Sequence, residues 1–92
     1  MKDNVIARVQ VRTYSDLYHL ELRAEKDYKG RRIYRMYNVY DIDTHATYEE
    51  MRGFVSYSDI DEALMVFQEV FGGRLSDEYI ECIKRGIDNI EV

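Results

Sequence analysis

The segment from Ser58 to Gly73 constrains the fold most, because it alone carries a helix start signal, a sustained apolar period and a stop signal. Ser58 or Asp59 can cap the start, and Gly72 can end the helix. The apolar positions at helical spacing are Ile60, Ala63, Leu64, Phe67, Val70 and Phe71. A helix with one apolar face needs a sheet or another helix to cover it. We therefore expect a layered domain.

Length and composition predict one small globular domain spanning residues 1–92. A chain of 92 residues buries about 60–65% of its unfolded surface, enough for one modest core. It is 46% hydrophobic and 34% charged, and no window approaches the roughly 18 apolar residues that span a bilayer. The N-terminus lacks the pattern of a secretory signal. The single cysteine, Cys82, excludes an internal disulfide and fits a reducing compartment, so we expect a cytoplasmic protein without membrane contact.

Three segments with apolar and polar residues in alternation predict half-buried strands at 4–14, 18–25 and 31–42. Asp27 to Gly30 suits a turn with glycine in the left-handed position, which places Ala24 opposite Tyr34. A two-residue turn at 15–16 would place Ala7 opposite Ala24. Both registers put the apolar residues on the same face, which predicts an antiparallel meander.

The remainder of the chain predicts a fourth strand at 49–57, with Gly53 as a bulge, and a second helix that starts after Ser76. The buried stripe of that helix is Ile80, Ile83, Ile87 and Ile90. Cys82, between two of these positions, is expected to be buried. The predicted fold class is α+β: a four-stranded antiparallel meander with two helices packed on one face.

The sheet face turned away from the helices is the first candidate interaction surface. The predicted registers align Arg8, Arg23 and Arg35 in one row, with Arg12 and Tyr37 beside it. Such a surface suits phosphates, a carboxylate-rich partner protein or stacked bases. The alternative is that Glu21 and Glu25 lie diagonal to the arginines and form a solvated charge lattice. An open face of this kind could also pair with a second copy of the chain, giving a homodimer.

The acidic half of the chain is the second candidate. Residues 1–40 carry nine Lys/Arg and five Asp/Glu, a charge of +4, whereas residues 41–92 carry four and thirteen, a charge of −9. Asp61, Glu62 and Glu69 fall on the outer face of the first predicted helix. Phage-encoded inhibitors of host defence enzymes are often small and acidic. We therefore expect a non-enzymatic protein-binding module that competes for a basic groove on a nucleic-acid-binding or defence protein.

Nucleic-acid binding is the alternative function. A basic hairpin tip resembles patches that contact phosphate backbones, and it would act with the arginine-bearing and tyrosine-bearing open sheet face. We use the name basic tip for Lys26, Tyr28, Lys29, Arg31 and Arg32.

The segment 54–73 resembles the third strand and second helix of an RNA recognition motif domain, through Phe54, Val55, Tyr57, Ala63 and Gly72. Met51 and Arg52 stand where that family has glycine and an aromatic residue. The end of the chain predicts a helix where the family has its last strand. The resemblance therefore implies a strand that leads into an amphipathic helix, and no function is carried over from it.

The sequence gives little support for an enzymatic function. Asp41, Asp43 and His45 alternate and could hold a divalent metal, but without a fourth ligand a polar loop with chance acidic residues is the favoured interpretation. No nucleophile with a base, glycine-rich phosphate loop or cofactor motif is present. We expect neither catalysis nor a cofactor.

Eight of the nine tyrosines are predicted to lie either at the core edge or at the surface. Because a tyrosine ring can pack while its hydroxyl stays hydrated, half-burial suits this residue. The core edge is predicted to hold Tyr18, Tyr34, Tyr40 and Tyr57. The surface is predicted to hold Tyr14, Tyr28, Tyr37 and Tyr48.

Overall fold

The computed structural model describes residues 4–41, 47–53 and 55–90, and within them the predicted fold class is confirmed. The strands are β1 (Val5–Arg12), β2 (Leu17–Lys26), β3 (Arg32–Asp41) and β4 (Thr47–Met51). The helices are α1 (Ile60–Phe71), α2 (Asp77–Gly86) and a short 3-10 helix (Ile87–Asn89). The strands form one antiparallel sheet in the order β1-β2-β3-β4. A meander of this kind needs only short connections between neighbouring strands.

The β2–β3 hairpin has the predicted turn and register. The Asp27 N–H donates to the Arg31 carbonyl at 2.9 Å, and the Gly30 N–H donates to the Asp27 carbonyl at 3.0 Å. Gly30 has a φ of 79°, which favours glycine. The Arg31 backbone N–H donates to the Asp27 carboxylate and, with that of Lys29, holds the pKa of Asp27 below its usual value. Ala24 lies opposite Tyr34, as expected.

The predicted β1–β2 register is wrong by two residues. Ala7 lies opposite Leu22 rather than Ala24. The connection is a four-residue loop, closed by a 2.8 Å hydrogen bond from the Thr13 N–H to the Asp16 carbonyl, and not a two-residue turn. A bulge between Val5 and Ala7 also shifts the pairing. Because the error is an even number of residues, the side chains from Ala7 to Arg12 keep their predicted faces, whereas the bulge brings Ile6 into the core.

The fourth strand is shorter than the predicted 49–57. β4 ends at Met51, and Tyr57 returns to the sheet only as an isolated bridge to Tyr34. Gly53 has a φ of 68°, which turns the chain out of the strand. Phe54 lies outside the described residues. The strand that the RNA recognition motif resemblance implies at 54–57 is therefore absent from the described part of this segment, 55–57.

Both helices have the caps that the sequence predicts. The Asp59 carboxylate, rather than the Ser58 hydroxyl, accepts from the Asp61 N–H at 3.1 Å. Gly72, with a φ of 70°, ends α1. The Ser76 hydroxyl accepts from the Tyr79 N–H at 3.1 Å and starts α2. These local bonds satisfy backbone groups that a helix end leaves unpaired.

The core lies between the helices and one face of the sheet. Leu20, Leu22 and Ala24 of the central strand β2 are completely buried there, as is Phe67 of α1. The guanidinium of Arg32 donates to the carbonyls of Ile87 and Ile90, which ties the 3-10 helix to the start of β3. No helix in the described ranges has the length and apolar character that a bilayer span requires.

Candidate interaction surfaces

The open face of the sheet carries an ion-pair network that runs from β1 to β4. We use this name for Arg8, Glu21, Arg23 and Glu49. The Arg8 Nε donates to Glu21 Oε2 at 2.7 Å, and Arg23 Nη2 donates to Glu21 Oε1 at 2.7 Å. Arg23 Nη2 also donates to Glu49 Oε1 at 2.8 Å. Between these contacts the Arg23 guanidinium crosses β3 with its carbon 4.2 Å from the Tyr37 ring centroid. One side chain therefore links β2 to β4 over the strand between them.

The centre of the ion-pair network is withdrawn from solvent. The side chains of Glu21 and Arg23 are each 3% exposed, whereas that of Arg8 is 57% exposed. Burial acts to lower the pKa of Arg23, but the hydrogen bonds to Glu49 and Glu21 outweigh it, so that the pKa is raised. A buried charge is tolerated when it is paired and hydrogen-bonded, and Arg23 meets both conditions.

A separate ion pair lies beside the network. Arg35 Nη1 donates to Glu25 Oε1 at 2.9 Å, and the Tyr37 hydroxyl donates to Glu25 Oε2 at 2.6 Å. Burial, followed by the hydrogen bond to Glu25, raises the pKa of Tyr37 to about 12. Tyr37 is partly buried, whereas the sequence predicted it at the surface.

The predicted row of three arginines does not form. Arg23 lies opposite Arg35, as expected, but the shifted register places Arg8 opposite Glu21. The carboxylates interleave with the guanidinium groups, as in the predicted charge lattice, but the centre of this lattice is buried rather than solvated. Arg12 remains exposed at the end of β1. Most of the positive charge on this face is already neutralised by the chain itself.

The acidic face of α1 is open to solvent. Asp61, Glu62 and Glu69 are exposed, and Met65 between them is 54% exposed. Lys84 Nζ of α2 lies 2.5 Å from the Asp61 carboxylate. Within the described part of the chain Glu62 and Glu69 have no ion pair. This surface therefore presents unneutralised carboxylates around an apolar centre.

The basic tip is weaker than the sequence predicts. Arg32 turns to the 3-10 helix, because its guanidinium donates to carbonyls there, and Arg31 Nε pairs with the Asp27 carboxylate at 2.9 Å. Lys26 and Tyr28 are exposed, and Lys29 Nζ lies 5.5 Å from the Tyr28 ring centroid. Three of the five predicted residues thus remain available to a partner.

The predicted metal site falls largely in a part of the chain that the structure does not describe. Asp43 and His45 lie outside the described residues, as does the side chain of Asp41. The distances between these three side chains are therefore not described. Among the residues that the structure describes, no three metal-ligating side chains cluster.

Cys82 is exposed, not buried as predicted, because α2 turns Ile83 to the core and leaves Cys82 on the outer side.

The tyrosines reveal a feature that sequence reasoning missed. Tyr34 is buried, and Tyr14, Tyr28 and Tyr48 are exposed, as predicted. Tyr18, Tyr40 and Tyr57 are intermediate, which fits the predicted core edge. The register also brings three of these rings into contact across β2, β3 and β4: Tyr18, Tyr40 and Tyr48. Only the Tyr18–Tyr40 pair could be predicted, since the β3–β4 register had no turn signal.

Comparison of the chain with protein-family models, curated proteins and solved structures gave no match.

The buried arginine gives the first prediction. Replacing Arg23 with Ala removes one partner from each of Glu21 and Glu49 and leaves Glu21 buried with Arg8 alone. We expect a loss of about 3 kcal/mol in the free energy of unfolding, measured by urea denaturation. The control Arg12→Ala, at an exposed position, should change it by less than about 0.5 kcal/mol. Equal stability of the Arg23→Ala and wild-type proteins would contradict the role assigned to the network.

Tyr37 gives a pH-dependent prediction. Its pKa in the folded protein is about 12, above the value of about 10 for an unfolded chain. The unfolded state therefore loses this proton first, so the stabilising contribution is complete below about pH 10 and is lost as the pH rises towards 12. Urea denaturation across this range should show a steeper loss of stability in the wild type than in Tyr37→Phe. Parallel curves for the two proteins would refute the assignment.

Proposed function

We propose that this protein is a small, acidic, non-enzymatic protein-binding domain that uses the outer face of α1 against a basic groove on a partner protein. One observation supports this most directly: the half-exposed Met65 lies among exposed carboxylates. Protein interfaces commonly combine an apolar centre with a polar rim, and methionine is enriched in them. A basic groove would supply the complementary charge.

The distribution of available charge favours the same surface. On the open sheet face Arg8, Arg23 and Arg35 each have a carboxylate of this chain as partner. Glu62 and Glu69, in contrast, have no lysine or arginine partner among the described residues. The protein therefore offers a partner mainly negative charge, which accelerates association with a basic surface and selects against acidic ones.

A basic groove on another protein is commonly a site for nucleic-acid phosphates. An acidic domain seated there would exclude the nucleic acid. The proposed role is therefore inhibition of a nucleic-acid-binding or defence protein, in the manner expected from the size and charge of the chain.

Reversal of charge on α1 tests the proposal. Affinity capture from a cell lysate identifies the partner, and calorimetry then measures its affinity. We expect Glu62→Lys/Glu69→Lys to lower the affinity at least tenfold. Glu62→Lys places a positive charge near the start of α1, where the helix dipole disfavours it, and Glu69→Lys places one near the end, where the dipole favours it. The two effects oppose each other, so the free energy of unfolding should change little.

The matched control is Glu78→Lys/Asp88→Lys, which makes the same change in net charge on α2 and the 3-10 helix. Its affinity for the partner should stay within about threefold of wild type, the modest change expected of a long-range charge effect. Equal losses in the two variants would show that only net charge matters. An unchanged affinity of the α1 variant would refute the proposal.

Nucleic-acid binding is the second candidate, and the exposure of Tyr28 (89%) beside Lys29 is the observation that favours it. Exposed aromatic rings stack on bases, and lysines contact phosphates. Under the main proposal, gel-shift titration with DNA and RNA at about 0.15 M salt gives no shifted band. A shift that weakens steeply with salt and is lost in Lys26→Ala/Lys29→Ala would instead establish this second function.

A further inference from the structure

A row of three tyrosines crosses the helix-bearing face of the sheet. We use the name tyrosine row for Tyr18, Tyr40 and Tyr48. The ring centroids of Tyr18 and Tyr40 lie 5.2 Å apart, and those of Tyr40 and Tyr48 lie 6.0 Å apart. Tyr40 and Tyr48 are outside the hydrophobic core, and Tyr48 is 53% exposed. Aromatic faces of this kind attract cations through the ring quadrupole.

Two hydrogen-bond acceptors lie beside the tyrosine row. Asn38 is 9% exposed, its Nδ2 donates to the Tyr40 hydroxyl at 3.4 Å, and its buried Oδ1 accepts no hydrogen bond. Glu50 lies opposite Asn38 on β4 and is exposed. Its carboxylate forms no ion pair or hydrogen bond within the described ranges. Because Asn38 Oδ1 is closed to solvent, the Glu50 carboxylate is the acceptor that a ligand can reach.

On the opposite face of the same sheet, an arginine side chain of this chain already contacts a tyrosine ring and carboxylates. There the Arg23 guanidinium stacks on Tyr37 and donates to Glu21 and Glu49 on either side. On the helix-bearing face the rings and the acceptors are present. No lysine or arginine from the part of the chain that the structure describes lies over Tyr18, Tyr40 or Tyr48.

We propose that the tyrosine row, with Glu50, binds an arginine side chain of a protein partner. The guanidinium plane stacks on the exposed ring of Tyr48, while its N–H groups donate to the Glu50 carboxylate. A guanidinium suits this site better than an ammonium, because it is flat, has five donors in fixed directions and is more weakly hydrated. The site lies on a different surface from the outer face of α1, so it stands or falls separately from the proposed function.

NMR titration with the tripeptide acetyl-Gly-Arg-Gly-amide tests the inference. We expect weak but saturable shifts in the backbone amides of Tyr48 and Glu50. The same tripeptide with citrulline has nearly the same shape but no charge, and the lysine tripeptide has the charge without the plane. Both should bind at least fivefold more weakly than the arginine tripeptide.

Variants locate the binding. Tyr48→Ala and Glu50→Gln, both at exposed side chains, should each weaken arginine binding at least fivefold, while Tyr28→Ala at the hairpin should leave it unchanged. The double variant Glu62→Lys/Glu69→Lys should also bind the tripeptide as wild type does. The inference is overturned by equal binding of the citrulline or lysine tripeptide, by the absence of saturable shifts, or by unchanged affinity in Tyr48→Ala and Glu50→Gln.

Discussion

Arg23 lies flat along the open face of the sheet, and the packing on that face depends on it. Its guanidinium rests on the Tyr37 ring and bonds carboxylates on β2 and β4. Because its side chain is 3% exposed, the charge would be costly without these partners. Its bond to Glu49 joins β2 to β4 across β3, and its contact with Tyr37 covers one side of that ring.

The same interaction shapes the surface available for function. A sheet face that looks basic in the sequence is largely neutral, because its arginines are bound by Glu21, Glu25 and Glu49. The acidic residues of α1 have no comparable compensation on their own helix, and Met65 lies open among them. The tyrosine row with Glu50 is a second surface, which combines aromatic rings with one carboxylate. For each of these surfaces we propose a cationic protein partner, and the two proposals are independent of one another.

The features that sequence predicted correctly are those with strong local signals. The α1 boundaries follow from Asp59 and Gly72, and the β2–β3 hairpin follows from the turn ending at Gly30. The β1–β2 register failed because a four-residue loop and a two-residue turn give the same face pattern. The burial of Arg23 was missed for a different reason: alternation marks a face as polar but does not show that carboxylates of the same strand and of β4 will cover it.

The exchange rate of the Arg23 Nε proton, measured by NMR of the ¹⁵N-labelled protein, tests the account most directly. This nitrogen donates to Glu21 at 2.9 Å within a side chain that is 3% exposed. The account predicts an Nε–H resonance that persists at neutral pH and exchanges far more slowly than that of the exposed Arg12. Exchange as fast as that of Arg12 would show that the guanidinium is in solvent, and the open face would then be free to bind anions after all.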